Sequence, residues 1–162
     1  MRPRILVVDG DERYLAEIKN LLEHAGYKTC VASSFEDGKR ELRSRAPDLL
    51  ILDVQLGESN GLQLLISQPQ LRIPAIVVTG LCDSTFRADA AAFGASYMIK
   101  PVSPATLLAS IKEKLAEACA TDRDRADSHQ QLVRANAPST DHARVLRRRT
   151  ALRRLDYHRR PV

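Results

Sequence analysis

Five short strand-like runs, most of them wholly apolar and separated by segments of helical periodicity, constrain this chain's fold more than any other feature. They are Ile5-Leu6-Val7-Val8, Lys28-Thr29-Cys30-Val31-Ala32, Leu49-Leu50-Ile51-Leu52, Ala75-Ile76-Val77-Val78 and Tyr97-Met98-Ile99. The third is the most informative. It is apolar at every position, lies between the Ala46-Pro47-Asp48 break and a polar stretch, and stops on Asp53. A run without alternation reads as a strand buried on both faces, which is the condition of a parallel sheet.

The intervening segments supply the helices. Asp11-Glu12 lead Tyr14, Leu15, Ile18, Leu21 and Leu22 at helical spacing, and Gly26 is the stop. Ser34 with Asp37 predicts the cap of a second helix that turns Phe35, Gly38 and Leu42 inward and ends before Pro47. A polar loop from Val54 to Asn60 precedes a short helix that starts at Leu62 and must end at Pro69. Asp83 or Ser84 caps a fourth helix ending near Phe93-Gly94, and Ser103-Pro104 opens a fifth, with Leu107, Leu108, Ile111 and Leu115 inward. Five strands alternating with five helices over about 120 residues is the rhythm of an α/β, doubly wound parallel sheet, with strand order 2-1-3-4-5 expected.

Charge divides the chain. Residues 1–120 carry 14 Lys/Arg against 15 Asp/Glu, whereas residues 121–162 carry 11 Arg against 5 Asp, so the net +5 belongs to the C-terminal end. Asp122 to Ser139 lacks an apolar period and contains Pro138, and Arg144 to Arg160 offers at best a ragged basic helix. The expectation for residues 121–162 is an Arg-rich, flexible and mostly disordered tail without a domain of its own, beside a domain at residues 1–120. Arg147-Arg148-Arg149 and Arg153-Arg154 could give weak, salt-sensitive, nonspecific contacts to nucleic acid. Nothing there has the size of a helix-turn-helix, so sequence-specific DNA binding is not predicted. No secretory segment and no bilayer-length apolar run is visible, which predicts a soluble, cytoplasmic protein without a membrane partner. Cys30, Cys82 and Cys119 are widely spaced and form no CxxC, which supports neither a disulfide framework nor a zinc site.

Four of the five strands end on reactive groups: Asp9, Asp53, Thr79 and Lys100. In the expected order these strands are adjacent, and their carboxyl ends form one rim, where open parallel sheets bind ligands. Two carboxylates beside a hydroxyl and an ammonium suit a divalent cation and a phosphoryl group. A carboxylate there can itself accept the phosphoryl group as an acyl phosphate.

Residues 1 to about 118 resemble the receiver domain of a bacterial two-component response regulator. The likeness is carried by Ile5-Leu6-Val7-Val8-Asp9, Leu50-Ile51-Leu52-Asp53, Asn60-Gly61, Ile76-Val77-Val78-Thr79, Gly94-Ala95 and Lys100-Pro101 in that order. The resemblance implies a flavodoxin-like fold and a phosphoacceptor at Asp53, fed by a sensor histidine kinase or a phosphotransfer protein. It also implies Mg²⁺ held by Asp9, the Asp53 carboxylate and the main-chain carbonyl of Gln55. Thr79 and Lys100 would engage the phosphoryl group, and a cis peptide often precedes the proline matching Pro101. Tyr97 matches the family's switch aromatic, whose movement with Thr79 changes the face formed by helix 4, strand 5 and helix 5. Such a domain is regulatory rather than an enzyme, self-dephosphorylation aside. Its downstream target is not specified, and self-association into a homodimer stays open.

One departure bears on the metal. The family has two adjacent acids after the first strand, and the second is replaced here by Gly10. Asp11 is read first as the N-terminal acid of the first helix and second as a substitute ligand. Weakened Mg²⁺ affinity is therefore expected. Two competing readings follow from the same residues. In one, the chain is a degenerate receiver that binds partners without phosphorylation. In the other, Asp9-Gly10-Asp11 is the DxD motif of a haloacid-dehalogenase-like phosphatase with Asp9 as nucleophile.

Overall fold

The computed structural model describes residues 2–44, 46–67 and 73–135, with side chains as far as residue 121. The elements run β1 (Arg4–Val8), α1 (Glu12–His24), β2 (Lys28–Ala32), α2 (Phe35–Ser44), β3 (Leu49–Leu52), β4 (Gln55–Leu56), β5 (Ser59–Asn60), α3 (Gln63–Ser67), β6 (Ala75–Thr79), α4 (Ser84–Ala92), β7 (Ser96–Ile99) and α5 (Pro104–Ala135). Five strands make a parallel sheet in the order β2-β1-β3-β6-β7, which is the expected order once β4 and β5 are set aside.

The continuous apolar runs have a simple cause. Successive strand residues point to opposite faces, and here both faces are covered. Leu6, Val8, Leu50, Leu52, Ala75 and Val77 pack on one side with Leu42 of α2, Leu64 of α3 and Ala90 of α4. Ile5, Val7, Leu49, Ile51, Ile76 and Val78 pack on the other with Leu15, Ile18 and Leu22 of α1 and Leu107 and Ile111 of α5. Truncating any one of these large side chains to Ala costs about 2–5 kcal/mol.

The caps fall where the residue types placed them. Asp11 caps α1, accepting the amides of Arg13 and Tyr14. Ser34 accepts the Asp37 amide at 3.2 Å and donates to its carboxylate at 2.9 Å, closing the first turn of α2. Asp83, not Ser84, caps α4, and Ser103 accepts the Thr106 amide at the start of α5.

Two expectations are corrected. The Val54–Asn60 loop contains a small antiparallel hairpin, β4 with β5, turning at Gly57 with φ +62°. Helix α5 does not stop at the boundary expected near Ala120 but continues to Ala135. Residues 121–135 contain no Gly or Pro, and Pro138 is the first breaker, so helix propensity carries the backbone on without an apolar stripe. The Arg147-Arg148-Arg149 and Arg153-Arg154 clusters, and the stop expected at Pro69, lie outside the described residues. Among the described residues no helix is long and apolar enough to cross a membrane.

Candidate functional site

The register of the sheet builds the rim. Val8 of β1 pairs with Leu52 of β3, so Asp9 and Asp53, each one residue further on, emerge side by side. The pairing continues past the strand ends, with the Asp53 amide donating to the Val8 carbonyl at 2.9 Å and the Asp9 amide to the Ala32 carbonyl at 3.1 Å. Thr79 of β6 pairs with Ile99 of β7, and the Lys100 amide donates to the Thr79 carbonyl at 2.9 Å.

Side chains then close the cluster. The Lys100 ammonium donates to Asp9 Oδ2 at 2.6 Å and to Asp53 Oδ2 at 2.9 Å. Both carboxylates are buried, Asp9 at 3% exposure and Asp53 at 8%, so an unpaired charge here would be costly. Their other oxygens accept main-chain amides, Asp9 Oδ1 from Asp11 at 2.9 Å and Asp53 Oδ1 from Gln55 at 3.0 Å. Burial alone would lower the Lys100 pKa, but its hydrogen bonds to Asp53 and Asp9 outweigh that and hold it above the ordinary lysine value.

Thr79 is fully buried, and its hydroxyl accepts the Leu81 amide at 3.3 Å. Tyr97 is half-buried and donates its hydroxyl to the Leu81 carbonyl at 2.8 Å, with the Arg87 guanidinium 5.2 Å from its ring centroid. Burial raises the Tyr97 phenol above its usual pKa. The Lys100–Pro101 peptide is cis, as the resemblance implied.

Two glycines shape the rim. A Cβ on Gly61 would overlap the Asp53 carbonyl oxygen, so only glycine lets the β5–α3 turn pass this closely behind the acid. A Cβ on Gly10 would be accommodated in ordinary contact with the Gln55 carbonyl oxygen, at 3.9 Å. An acid at position 10 would therefore reach toward that carbonyl. Asp11 caps α1 through one carboxylate oxygen, Oδ1, which accepts the Arg13 and Tyr14 amides. Among the described residues no three His, Cys, Asp or Glu side chains gather as a metal site. The two carboxylates joined by Lys100 are oxygen donors of the kind that suits Mg²⁺, with one charge fewer than three acids would supply.

The model of the response regulator receiver domain family matches residues 5–112. The chain belongs to this family. The receiver is 31% identical over 115 residues to the Bacillus subtilis alkaline phosphatase synthesis transcriptional regulatory protein PhoP, covering 69% of this chain and 48% of that protein. It is 35% identical over 115 residues to the Pseudomonas putida alginate biosynthesis transcriptional regulatory protein AlgB, covering 68% of this chain and 25% of that one. It thus spans about half or less of the length of these curated relatives. A CheY-like receiver from Methanospirillum hungatei superposes with TM-score 0.69 at 32% identity, over 72% of this chain and 96% of that one. A receiver from Clostridium thermocellum gives TM-score 0.68 at 28% identity, over 74% and 98%. The receiver is homologous to two-component response regulators, a family that signals by phosphorylation, generally with Mg²⁺, and works with histidine kinases or phosphotransfer proteins.

One rim residue was not legible as such in the sequence. Tyr14 reads there only as a core position of α1, yet the Lys100 ammonium lies 4.4 Å from its ring centroid. The available signal was its place: the first turn of a helix that begins directly after Asp9 faces the same rim.

Proposed function

We propose that Asp53 is the phosphoacceptor of this receiver and that Lys100 and Thr79 stabilise the transferred group. The observation that carries the reading is the single ammonium bonded to both buried carboxylates, 2.6 Å from Asp9 and 2.9 Å from Asp53. An Asp53 carboxylate oxygen attacks the phosphorus of a phosphohistidine on a partner kinase or phosphotransfer protein. The new O–P bond makes an acyl phosphate, the P–N bond breaks, and its electron pair returns to the imidazole nitrogen. Charge grows on the phosphoryl oxygens, and a positioned ammonium is the means of stabilising it. Asp9, Asp53 and the Gln55 carbonyl would hold Mg²⁺, which when bound offsets repulsion between the incoming phosphoryl group and the acids. With Gly10 in place of a third acid, that affinity is weak.

The output follows from Leu81, which is bonded at both ends. Its amide donates to Thr79 and its carbonyl accepts from Tyr97. When the Thr79 hydroxyl turns to the phosphoryl group, the Leu81 amide loses its acceptor and the loop carrying the Tyr97 acceptor shifts. Two packings of the α4–β7–α5 face then exchange population, biased by the new charge on Asp53. A partner that reads this face reads the phosphorylation state. Gly10 favours a second reading, an interaction module that works without phosphorylation.

The test is exposure of wild type and Asp53→Asn to acetyl phosphate with Mg²⁺, followed by intact-mass measurement. A single phosphoryl adduct on wild type and none on the variant supports the assignment. No adduct on wild type across a Mg²⁺ titration supports the phosphorylation-independent module.

A further inference from the structure

The two carboxylates fix how far the Lys100 ammonium sits from Asp9 and Asp53 but leave its direction loose. An ammonium carries three rotatable donors on a flexible four-carbon stem. The third side is closed by an aromatic face, the Tyr14 ring, with its centroid 4.4 Å from Nζ, well within cation–π range. Tyr14 is itself anchored: its amide donates to the Asp11 cap at 3.3 Å, and its ring packs against the core cluster that includes Leu15, Ile18 and Leu107. Its hydroxyl oxygen is buried and makes no hydrogen bond. Burial raises this phenol's pKa, opposed in part by Lys100, so the ring beside the ammonium stays neutral. A buried tyrosine whose hydroxyl bonds to nothing contributes through its ring.

We propose that Tyr14 is a positioning residue for phosphoryl acceptance: its π face holds the Lys100 ammonium over the Asp9–Asp53 pair, aimed before the phosphoryl group arrives. The proposal rests on Asp53 being the acceptor. Its physical basis is the charge lost at Gly10. Two acids rather than three attract the ammonium, and the aromatic face supplies the further attraction. A cation fixed in advance needs no reorganisation as charge develops on the phosphoryl oxygens.

The 162-residue chain as wild type, Tyr14→Phe, Tyr14→Leu and Tyr14→Met is compared with acetyl phosphate as donor at fixed Mg²⁺. The maximal phosphorylation rate and the KM for acetyl phosphate are read separately. In parallel, without donor, the proton shifts of the Lys100 ε-methylene are read by NMR, since protons over a ring face move upfield. The maximal rate falls roughly 3- to 10-fold in Tyr14→Leu and Tyr14→Met, the span of a partly desolvated cation–π contact, with KM unchanged. Tyr14→Phe keeps the wild-type rate and the upfield Lys100 resonance, which the Leu and Met variants lose. A wild-type rate in Tyr14→Leu and Tyr14→Met, or a Tyr14→Phe as slow as they are, overturns the proposal. Using two aliphatic variants keeps the comparison open if one of them fails to fold. A wild type that shows the upfield resonance but takes no phosphoryl group overturns the acceptor assignment and leaves the Tyr14–Lys100 contact standing.

Discussion

Asp9 and Asp53, at the ends of β1 and β3, form with Lys100 from the end of β7 a cluster in which each charge faces an opposite one and each acid also accepts a main-chain amide. On the β6–β7 side, the Thr79 and Tyr97 side chains each meet Leu81 through one neutral hydrogen bond, and the stacked Arg87 is exposed. Both sides stand on the same parallel sheet, so the difference lies in what each is asked to do. Charge-assisted bonds in a low-dielectric pocket fix the geometry of Asp9, Asp53 and Lys100. Single neutral bonds of about 1 kcal/mol each can be exchanged for others at little cost. On the proposed reading, the acceptor side is built to stay and the switch side to be rearranged.

The largest test of that contrast strikes the stiff side from behind. Gly61→Ala sets a Cβ against the Asp53 carbonyl, which only backbone movement can relieve, and a loss of about 3 kcal/mol in urea unfolding is expected. A loss below about 0.5 kcal/mol, the level of an ordinary surface change, would show that the turn behind Asp53 is pliable after all.

Next in size is Gly10→Asp, which returns an acid beside the Gln55 carbonyl. Mg²⁺ should bind roughly tenfold more tightly, about 1.4 kcal/mol, in a titration followed by NMR or calorimetry. Unchanged affinity would mean that Gly10 is not the reason for a weak metal site.

On the soft side, Arg87→Ala removes the cation over Tyr97, an exposed contact of about 0.5–1 kcal/mol. The Tyr97 ring should then sample its second rotamer roughly 2- to 5-fold more often, read from side-chain couplings, with global stability little changed. A full switch of rotamer would show that Arg87 alone holds the ring.

The smallest effect lies away from the rim and serves as its baseline. The Ser34 hydrogen bond, then the Arg40 guanidinium, hold the Asp37 carboxyl below its ordinary pKa. A depressed acid stabilises above its unfolded pKa and loses that contribution as pH falls through the folded value. The small difference in Tm between wild type and Asp37→Asn should therefore be present at neutral pH and vanish in acid. A difference that persisted in acid would trace to packing rather than charge.

Much of the rim was legible in the sequence. Asp9, Asp53, Thr79 and Lys100 each terminate an apolar run, and parallel register brings such termini level, so β-strand pattern alone gathers them. Asp11, Ser34 and Ser103 announced helix starts through their own local chemistry. What was not legible depends on how elements lie across one another. The Tyr14 ring meets Lys100 only because of how α1 is rotated on the sheet, a choice made by the packing of Leu15, Ile18 and Leu22. Gly61 entered the sequence reading only through the Asn60-Gly61 match and proved to be a point of backbone contact. The extension of α5 to Ala135 was hidden because residues 121–135 show propensity without periodicity.

Which carboxylate takes the phosphoryl group decides the role of every other residue on the rim. After incubation of the full chain with acetyl phosphate and Mg²⁺, borohydride reduction converts an acyl phosphate to the corresponding alcohol, and peptide mapping locates it. Reduction at position 53 alone is the expected result. Label at Asp9 instead, or no label at Asp53 while another residue carries it, would contradict the assignment.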